Sequence, residues 1–345
     1  MRRSWWSHAL LSLAALGCAC RCAGASATTA PVEVNLLAIG DWGFDSPDRQ
    51  AVADAMAADA GARPDAVLLL GDNFRTRLKD ENDPAIQRLF EHTYDPIRLA
   101  CPFYAALGNH DYEQDKALIE MAYASGHPQS RWKMPARWYR VDLPSAAAPL
   151  VTVLALDSNK PKMSPADWTA QIDWMGRELA GPRGRWTICC AHHPLFSNGS
   201  HGDNGVLQTQ WGPLLKQRHV DFYLSGHDHT LQHLEIANWP ISFVISGGGG
   251  ARRTAMLRDV RGPFSRSEMG FTHLRFTADM ADVRLVDAHD ATLHEFSRDL
   301  KGAIHVISTT ASDPATRNPL KLIQGLDDAD RRKTTPSTQP TSSAR

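Results

Sequence analysis

The sequence predicts an α/β fold in which strands and helices alternate, closed towards the C-terminus by antiparallel strands. Three observations predict it. Short apolar runs recur and end abruptly in polar clusters containing glycine or proline. Helical stretches lie between these runs. From residue 241 the chain turns β-rich, and over 271–278 and 282–287 apolar and polar residues alternate. Short apolar runs bounded by Gly or Pro read as buried strands, and their alternation with helices argues an α/β core. Period-two alternation reads as antiparallel strands with one face towards solvent.

The elements follow in order. Val34 to Ile39 runs into Gly40-Asp41-Trp42-Gly43, and Arg49 to Ala60 is expected as a helix. Ala66 to Leu70 runs into Gly71-Asp72-Asn73, followed by a helix over Pro84 to Leu99. Phe103 to Leu107 runs into Gly108-Asn109-His110-Asp111, followed by a helix over Asp115 to Ala124. Asp157 ends the run VTVLALD and is expected to support the sheet edge, not to act as a ligand. A helix over Pro165 to Ala180 precedes Trp186 to Cys190, which runs into Ala191-His192-His193-Pro194. A helix over Val206 to Gln217 precedes Val220 to Leu224, which leads to Gly226-His227-Asp228-His229. Ile241 to Ser246 ends in four glycines, Gly247 to Gly250. Phe271 to Ala278 and Asp282 to Asp287 are the alternating strands, with His294 to Ser297 and Ala303 to Ser308 as further ones. After about Thr309 the pattern lapses, so 309–345 is expected to be a flexible tail.

Composition narrows the function classes. The chain has 345 residues, 43% hydrophobic and 22% charged, ordinary values for a globular protein. A formal net charge of -1 supplies no global positive field for nucleic acid and no strong attraction to a membrane surface. Its acidic residues are 29 Asp against 9 Glu, with 15 His, a bias that invites a search for metal ligands. At the N-terminus, Arg2 and Arg3 precede an apolar run from Ala9 to Ala19 and an Ala25-Ser26-Ala27 cleavage pattern. Residues 1–27 are therefore expected to be a signal peptide, directing a catalytic domain of 28–308 to the periplasm or beyond the cell. The run is too short to span a bilayer. Leu16-Gly17-Cys18 offers the alternative of a lipoprotein site. The remaining cysteines, Cys101, Cys189 and Cys190, are expected as buried free thiols, since an odd number with two adjacent makes no disulfide framework.

Asp41, Asp72, Asn109, His192, His227 and His229 each fall just past the C-terminal end of an expected strand. In an α/β sheet those ends gather along one edge, where ligands bind. Two carboxylates, one amide and three imidazoles suit hard or borderline cations such as Fe, Zn and Mn. The donors suffice for two cations. A carboxylate can bridge two cations, and Asp72 is the natural bridge.

The ordered set GDWG, GDN, GNHD, AHHP, GHDH resembles the calcineurin-like metallophosphoesterases, and within them most the purple acid phosphatases of the tartrate-resistant type. The resemblance spans about Val32 to Val286. It implies a four-layer αββα sandwich, two mixed sheets face to face with helices outside and a dimetal site at one edge. It implies that Asp41 and His229 bind a first metal, that Asp72 bridges, and that Asn109, His192 and His227 bind a second. The metals would be Fe with Zn, Mn or a second Fe. His110 corresponds to a catalytic histidine, with Asp111 placed to orient it, and His201 to an outer histidine. His193 would wall the site.

The activity implied is acid phosphatase-like hydrolysis of phosphate monoesters. Metal-bound hydroxide would attack in line, with His110, aided by His201, protonating the leaving group. The partner is then a small phosphate ester, without nucleic acid or a transmembrane span; the oligomeric state is left open. Two other readings stay open. One is a phosphodiesterase acting on nucleotides or glycerophosphodiesters. The other is an envelope protein that binds metal or phosphate without turnover, against which the full ligand set and His110 count. One position departs from the pattern: Arg75 stands where the purple enzymes carry an iron-binding tyrosine. Weaker features are Gly247 to Gly250, Arg252 and Arg253 as substrate contacts, and Trp42 as a pocket floor.

Overall fold

The structure is a computed structural model describing residues 32–59, 63–257 and 261–313. The expected leader with Cys18, and the tail beyond 313, lie outside the described residues. The first half of the chain builds β1 (Val34–Ile39), α1 (Pro47–Asp59), β2 (Ala66–Leu69), α2 (Pro84–Ile86), β3 (Phe103–Ala105), α3 (Lys116–Gly126), β4 (Trp132–Lys133), β5 (Tyr139–Leu143) and β6 (Val151–Ala155). There follow α4 (Pro165–Ala180), β7 (Trp186–Cys190), α5 (Gly205–Gln210), α6 (Gly212–Gln217), β8 (Phe222–Ser225), β9 (Leu231–Glu235) and β10 (Ser242–Ser246). The remainder is β11 (Phe264–Arg266), β12 (Gly270–Phe276), β13 (Met280–Asp287), β14 (Thr292–Asp299) and β15 (Ile304–Thr309).

Two mixed sheets result. One has the order β15-β14-β13-β12-β1-β2-β3-β4, the other β11-β9-β10-β8-β7-β6-β5. β1, β2 and β3 run parallel, as do β6, β7, β8 and β10. Side chains alternate across a strand, so each strand serves two layers. On β1, Leu36 and Ala38 pack between the sheets with Ile188 and Cys190 of β7, while Leu37 and Ile39 pack against Val52 and Met56 of α1. On β7 the intervening Cys189 joins Trp168 and Leu179 of α4. These three cores define the expected four layers. The same alternation puts Cys189 and Cys190 on opposite faces, and both, like Cys101, are buried free thiols. Among the described residues no helix is long and apolar enough to cross a membrane.

Two expected helices are shorter than the sequence suggests. Over Pro84 to Leu99 only α2 and a π turn at Gln87–Glu91 form. Asp95 then turns the chain by accepting from the backbone N–H of Ile97 and Arg98, with Pro96 between. The helix over Val206 to Gln217 breaks into α5 and α6 at the buried Trp211, where Pro213 supplies no N–H. β4, β5, β9 and β11 are strands that the apolar pattern does not mark. Residues 310–313 fold back on β11, where the Asp313 N–H donates to the Ser265 carbonyl at 2.9 Å. Residues 309–313, placed in the expected tail, are therefore held by the fold.

β9 and β14 meet between the sheets through two buried imidazoles, His233 Nδ1 lying 2.9 Å from His294 Nε2. Burial and the neighbouring ring push His294 down to about 3 from an ordinary 6.5, and burial lowers His233. A histidine kept neutral in the fold costs stability once the unfolded chain can take up its proton. Its contribution is intact above the unfolded pKa and is lost as pH falls from about 6.5 towards 3. His294→Gln should therefore narrow the gap between urea midpoints measured at pH 7.5 and pH 4.5. An unchanged gap would remove this pair from the acid response.

Candidate metal centre

The parallel strands deliver their C-terminal ends to one edge of the sandwich, where backbone bonds stitch the two sheets together. The Gly40 N–H donates to the Ser246 carbonyl at 2.7 Å, and the Gly249 N–H to the Gly40 carbonyl at 3.1 Å. Asp41, Asp72 and His227 sit just past β1, β2 and β8 with left-handed backbone, φ 61°, 55° and 70°. Each costs on the order of 1–3 kcal/mol and persists only where the surroundings hold it. Two glycines make the approach possible. Gly71 has φ 88°, and a Cβ there would lie 2.7 Å from His192 Nδ1. A Cβ at Gly108 would lie 2.2 Å from Asp72 Oδ1.

The expected ligands converge. Asp41, Asp72 and His192, all buried, each offer one donor atom within 4.8 Å of the others. His192 Nδ1 donates to the Leu70 carbonyl at 2.9 Å, leaving Nε2 as a lone pair. That atom lies 3.0 Å from Asn109 Oδ1, 3.1 Å from His227 Nδ1 and 3.4 Å from Asp72 Oδ1. His229 Nδ1 donates to the Arg252 carbonyl at 2.6 Å and turns Nε2 towards Asp41 Oδ1 at 3.5 Å. Ring N–H groups tied back in this way fix ligand tautomers.

Two observations fit a cation. Asp41 Oδ1 is buried with no hydrogen-bond partner, costly for an ionised oxygen. Facing ring nitrogens 3.1 Å apart need a shared proton or a metal. The electrostatics agree. Burial, partly offset by His192 and reinforced by Asp41, lifts Asp72 to about 6. Burial and the neighbouring imidazoles hold His227 well below its usual value, so its ring stays neutral with a lone pair to give. Against the pull of burial, the Asp41 carboxylate facing it carries His229 up to about 9, a proton that a cation would replace.

His110 lines the same centre, its Nε2 3.8 Å from Asp72 Oδ2. The expected role of Asp111 needs correction. Its carboxylate is fully buried and faces away from His110, accepting from the N–H of Asn73 at 2.8 Å, from the N–H of Gly108 at 2.7 Å and from Asn73 Nδ2 at 3.1 Å. It braces two ligand loops against each other. His110 Nδ1 instead meets Glu113 Oε1 at 2.7 Å, a residue that sequence reasoning missed although the His-x-x-Glu spacing fits one turn. His201 does reach the centre. Its ring stands 4.1 Å from that of His227, and its Nδ1 bonds Asp228 Oδ1 at 3.0 Å. Asp228, fully buried between two candidate ligand histidines in sequence, is a second missed residue. His193, His201, His227 and Val206 help line a cleft of about 400 Å³ beside the centre.

The family's sequence profile for calcineurin-like phosphoesterases matches residues 34–231, which contain every candidate ligand. The chain belongs to this family. As a calcineurin-like phosphoesterase it is a hydrolase of phosphoric esters. It is 30% identical over 290 residues to purple acid phosphatase 17 of Arabidopsis thaliana, covering 76% of this chain and 83% of that protein. To tartrate-resistant acid phosphatase type 5 of Mus musculus it is 29% identical over 304 residues, covering 78% and 91%. Two solved structures share the fold. GAP50, the anchor in the inner membrane complex of Plasmodium, gives a TM-score of 0.67 at 20% identity, covering 85% of this chain and 95% of that one. Purple acid phosphatase PPD1 from Lupinus luteus seeds gives 0.64 at 17%, covering 83% and 57%.

In this phosphoesterase the weaker expectations resolve towards packing. Trp42 is fully buried among Phe74, Phe90, Tyr94 and Trp132, so it is core and not pocket floor. Gly247 and Gly249 lie against the backbone of Asp228 and Gly40. Arg252 serves through its carbonyl, and Arg253 pairs with Glu268 at 2.9 Å. Arg75 reaches the centre, with Nη1 3.6 Å from Asp72 Oδ2 and its guanidinium over the Phe44 ring at 4.8 Å.

Proposed function

We propose that this chain is a dimetal-dependent phosphomonoesterase of the acid phosphatase type, exported from the cytoplasm by its N-terminal leader. The observation that carries the reading is the gathering of Asp41, Asp72 and His192 donors within 4.8 Å around an unpartnered carboxylate oxygen. The names of its relatives support a phosphatase. Asp41 and His229 would hold one cation, Asn109, His192 and His227 the other, with Asp72 reaching both; iron with zinc, manganese or a second iron suits these donors. When bound, the cations supply Lewis-acid polarisation of water and of the phosphoryl oxygens. The chain's own residues do the rest. The ligand imidazoles are held by the Leu70 and Arg252 carbonyls, so the site is preorganised. His110 holds a proton at Nε2 for the departing oxygen, and the cleft beside His201 receives the leaving group. The test is the hydrolysis of nitrophenyl phosphate beside that of its bis ester. The monoester should be preferred by about tenfold or more in kcat/KM. The reverse preference would make the chain a phosphodiesterase, and no turnover of either ester by metal-loaded protein would make it a binding protein.

Arg75 carries a second expectation. Its guanidinium has no lone pair for a cation and stays protonated. Two other tyrosines stand near the third cluster. Tyr112 bonds Asp157 through its hydroxyl and accepts from Arg137 Nε at 3.0 Å, while Tyr104 packs near Tyr139 in the inter-sheet core. Active, iron-loaded protein should therefore lack the strong visible band of phenolate-to-ferric charge transfer. Its appearance in the visible spectrum would contradict this account of Arg75.

A further inference from the structure

His110 and Glu113 face each other across a single turn. The Glu113 N–H donates to the His110 carbonyl at 3.1 Å, and Glu113 Oε1 lies 2.7 Å from His110 Nδ1. The ring's other nitrogen faces the centre, 3.8 Å from Asp72 Oδ2. The imidazole thus spans from an exposed carboxylate to the candidate bridging one. The turn is expensive. Gln114 and Asp115 follow with left-handed backbone, φ 57° and 60°, a conformation unfavourable for residues that carry a Cβ. It is held from behind, where the Ala117 N–H donates to the Asp111 carbonyl at 2.6 Å and the Lys116 and Ala117 side chains are buried. Strain of this kind persists where the surroundings over-determine it. As an exposed pair the contact would contribute little to stability. Its effect lies in geometry: an acceptor at Nδ1 selects which ring nitrogen faces the site.

We propose that Glu113 is the positioning residue for His110. It accepts the Nδ1 proton, fixes the ring plane and keeps Nε2 turned to the departing oxygen. The proposal rests on the reading of this site as a phosphomonoesterase. In the step concerned, a water oxygen bonds to phosphorus and the ester P–O bond breaks. The leaving oxygen takes the proton from Nε2, and the ring keeps its Nδ1 proton on Glu113. The proton released by the water passes to solvent, which reprotonates the ring.

The test compares Glu113→Ala, Glu113→Gln and His110→Ala in metal-loaded enzyme, on an alkyl phosphate and on nitrophenyl phosphate, with metal content measured for each. Glu113→Ala should lower kcat on the alkyl ester by about tenfold or more, and on the nitrophenyl ester by far less, because nitrophenolate departs without a proton. KM and metal content should hold. Glu113→Gln, whose amide oxygen still accepts from Nδ1, should lose less than Glu113→Ala. An equal loss on both esters, a loss of metal or no loss at all in Glu113→Ala would overturn the proposal. If His110→Ala itself lacks the dependence on leaving group, the reading of His110 as proton donor fails. If His110→Ala shows it and Glu113→Ala does not, only the positioning role falls.

Discussion

Asp72→Ala should lose both cations, and turnover with them. The Asp72 carboxylate is the group placed between the two halves of the candidate shell. Its Oδ1 accepts from the His110 N–H at 3.0 Å and lies 3.4 Å from His192 Nε2; its Oδ2 faces Arg75 and His110 Nε2. The other carboxylate among the candidate ligands, Asp41, is committed to His227 and His229. Removing Asp72 leaves neither half with its full set of donors. Loss of Lewis-acid stabilisation worth several kcal/mol corresponds to a rate loss on the order of 10³-fold or more. Asn109→Ala should mainly weaken one cation. Asp72→Asn separates this from a folding defect. It keeps the volume and removes a like charge whose repulsion with Asp41 helps raise the Asp72 pKa. The metal-free variant should melt at or above the metal-free wild type, but added metal should no longer raise its Tm. Metal stoichiometry with thermal melts checks both points. Two cations bound to Asp72→Ala with wild-type affinity would remove Asp72 from the bridging position.

His110→Ala should keep its metals and lose on the order of 10²–10⁴ in rate on esters of alcohols. His110 contributes its backbone N–H to Asp72, which the substitution retains, and offers only its ring to the reaction. An alkoxide is a poor leaving group, so deletion of its proton source is felt in full. Nitrophenolate is stable as an anion, so the loss there should shrink. Steady-state kcat on the two ester classes, with metal content held, is the measurement. Equal losses would assign His110 to phosphate binding instead.

The gathering of the candidate ligands at one edge was legible because each is set by a strand and the few residues after it. Asp41, Asp72, Asn109, His192, His227 and His229 follow apolar runs whose ends the α/β topology must collect. The glycines beside them mark backbone that cannot carry a side chain. The supporting shell was less legible because it depends on direction. Asp111 adjoins His110 in sequence, yet neighbouring side chains diverge, and the turn returns Glu113 to the ring instead. Asp228 reads as a spacer between two ligands, while its true partner, His201, comes from a loop 27 residues away. β9 escaped notice because its two faces bury Gln232 and His233, polar residues satisfied from elsewhere: Gln232 accepts from the Asn198 N–H and donates to Thr230 Oγ1, and His233 meets His294. The helix expected over 84–99 failed through local competition, the Asp95 side chain capturing backbone donors that a helix would use.

On the proposed reading, one site built from these loops holds two cations joined through Asp72. Anomalous diffraction at the metal absorption edge, from crystals of active protein, tests it most directly. The account predicts two peaks, one beside Asp41 and His229, the other beside Asn109, His192 and His227, with the Asp72 carboxylate contacting both. A single peak, or two peaks of which neither touches Asp72, would contradict it.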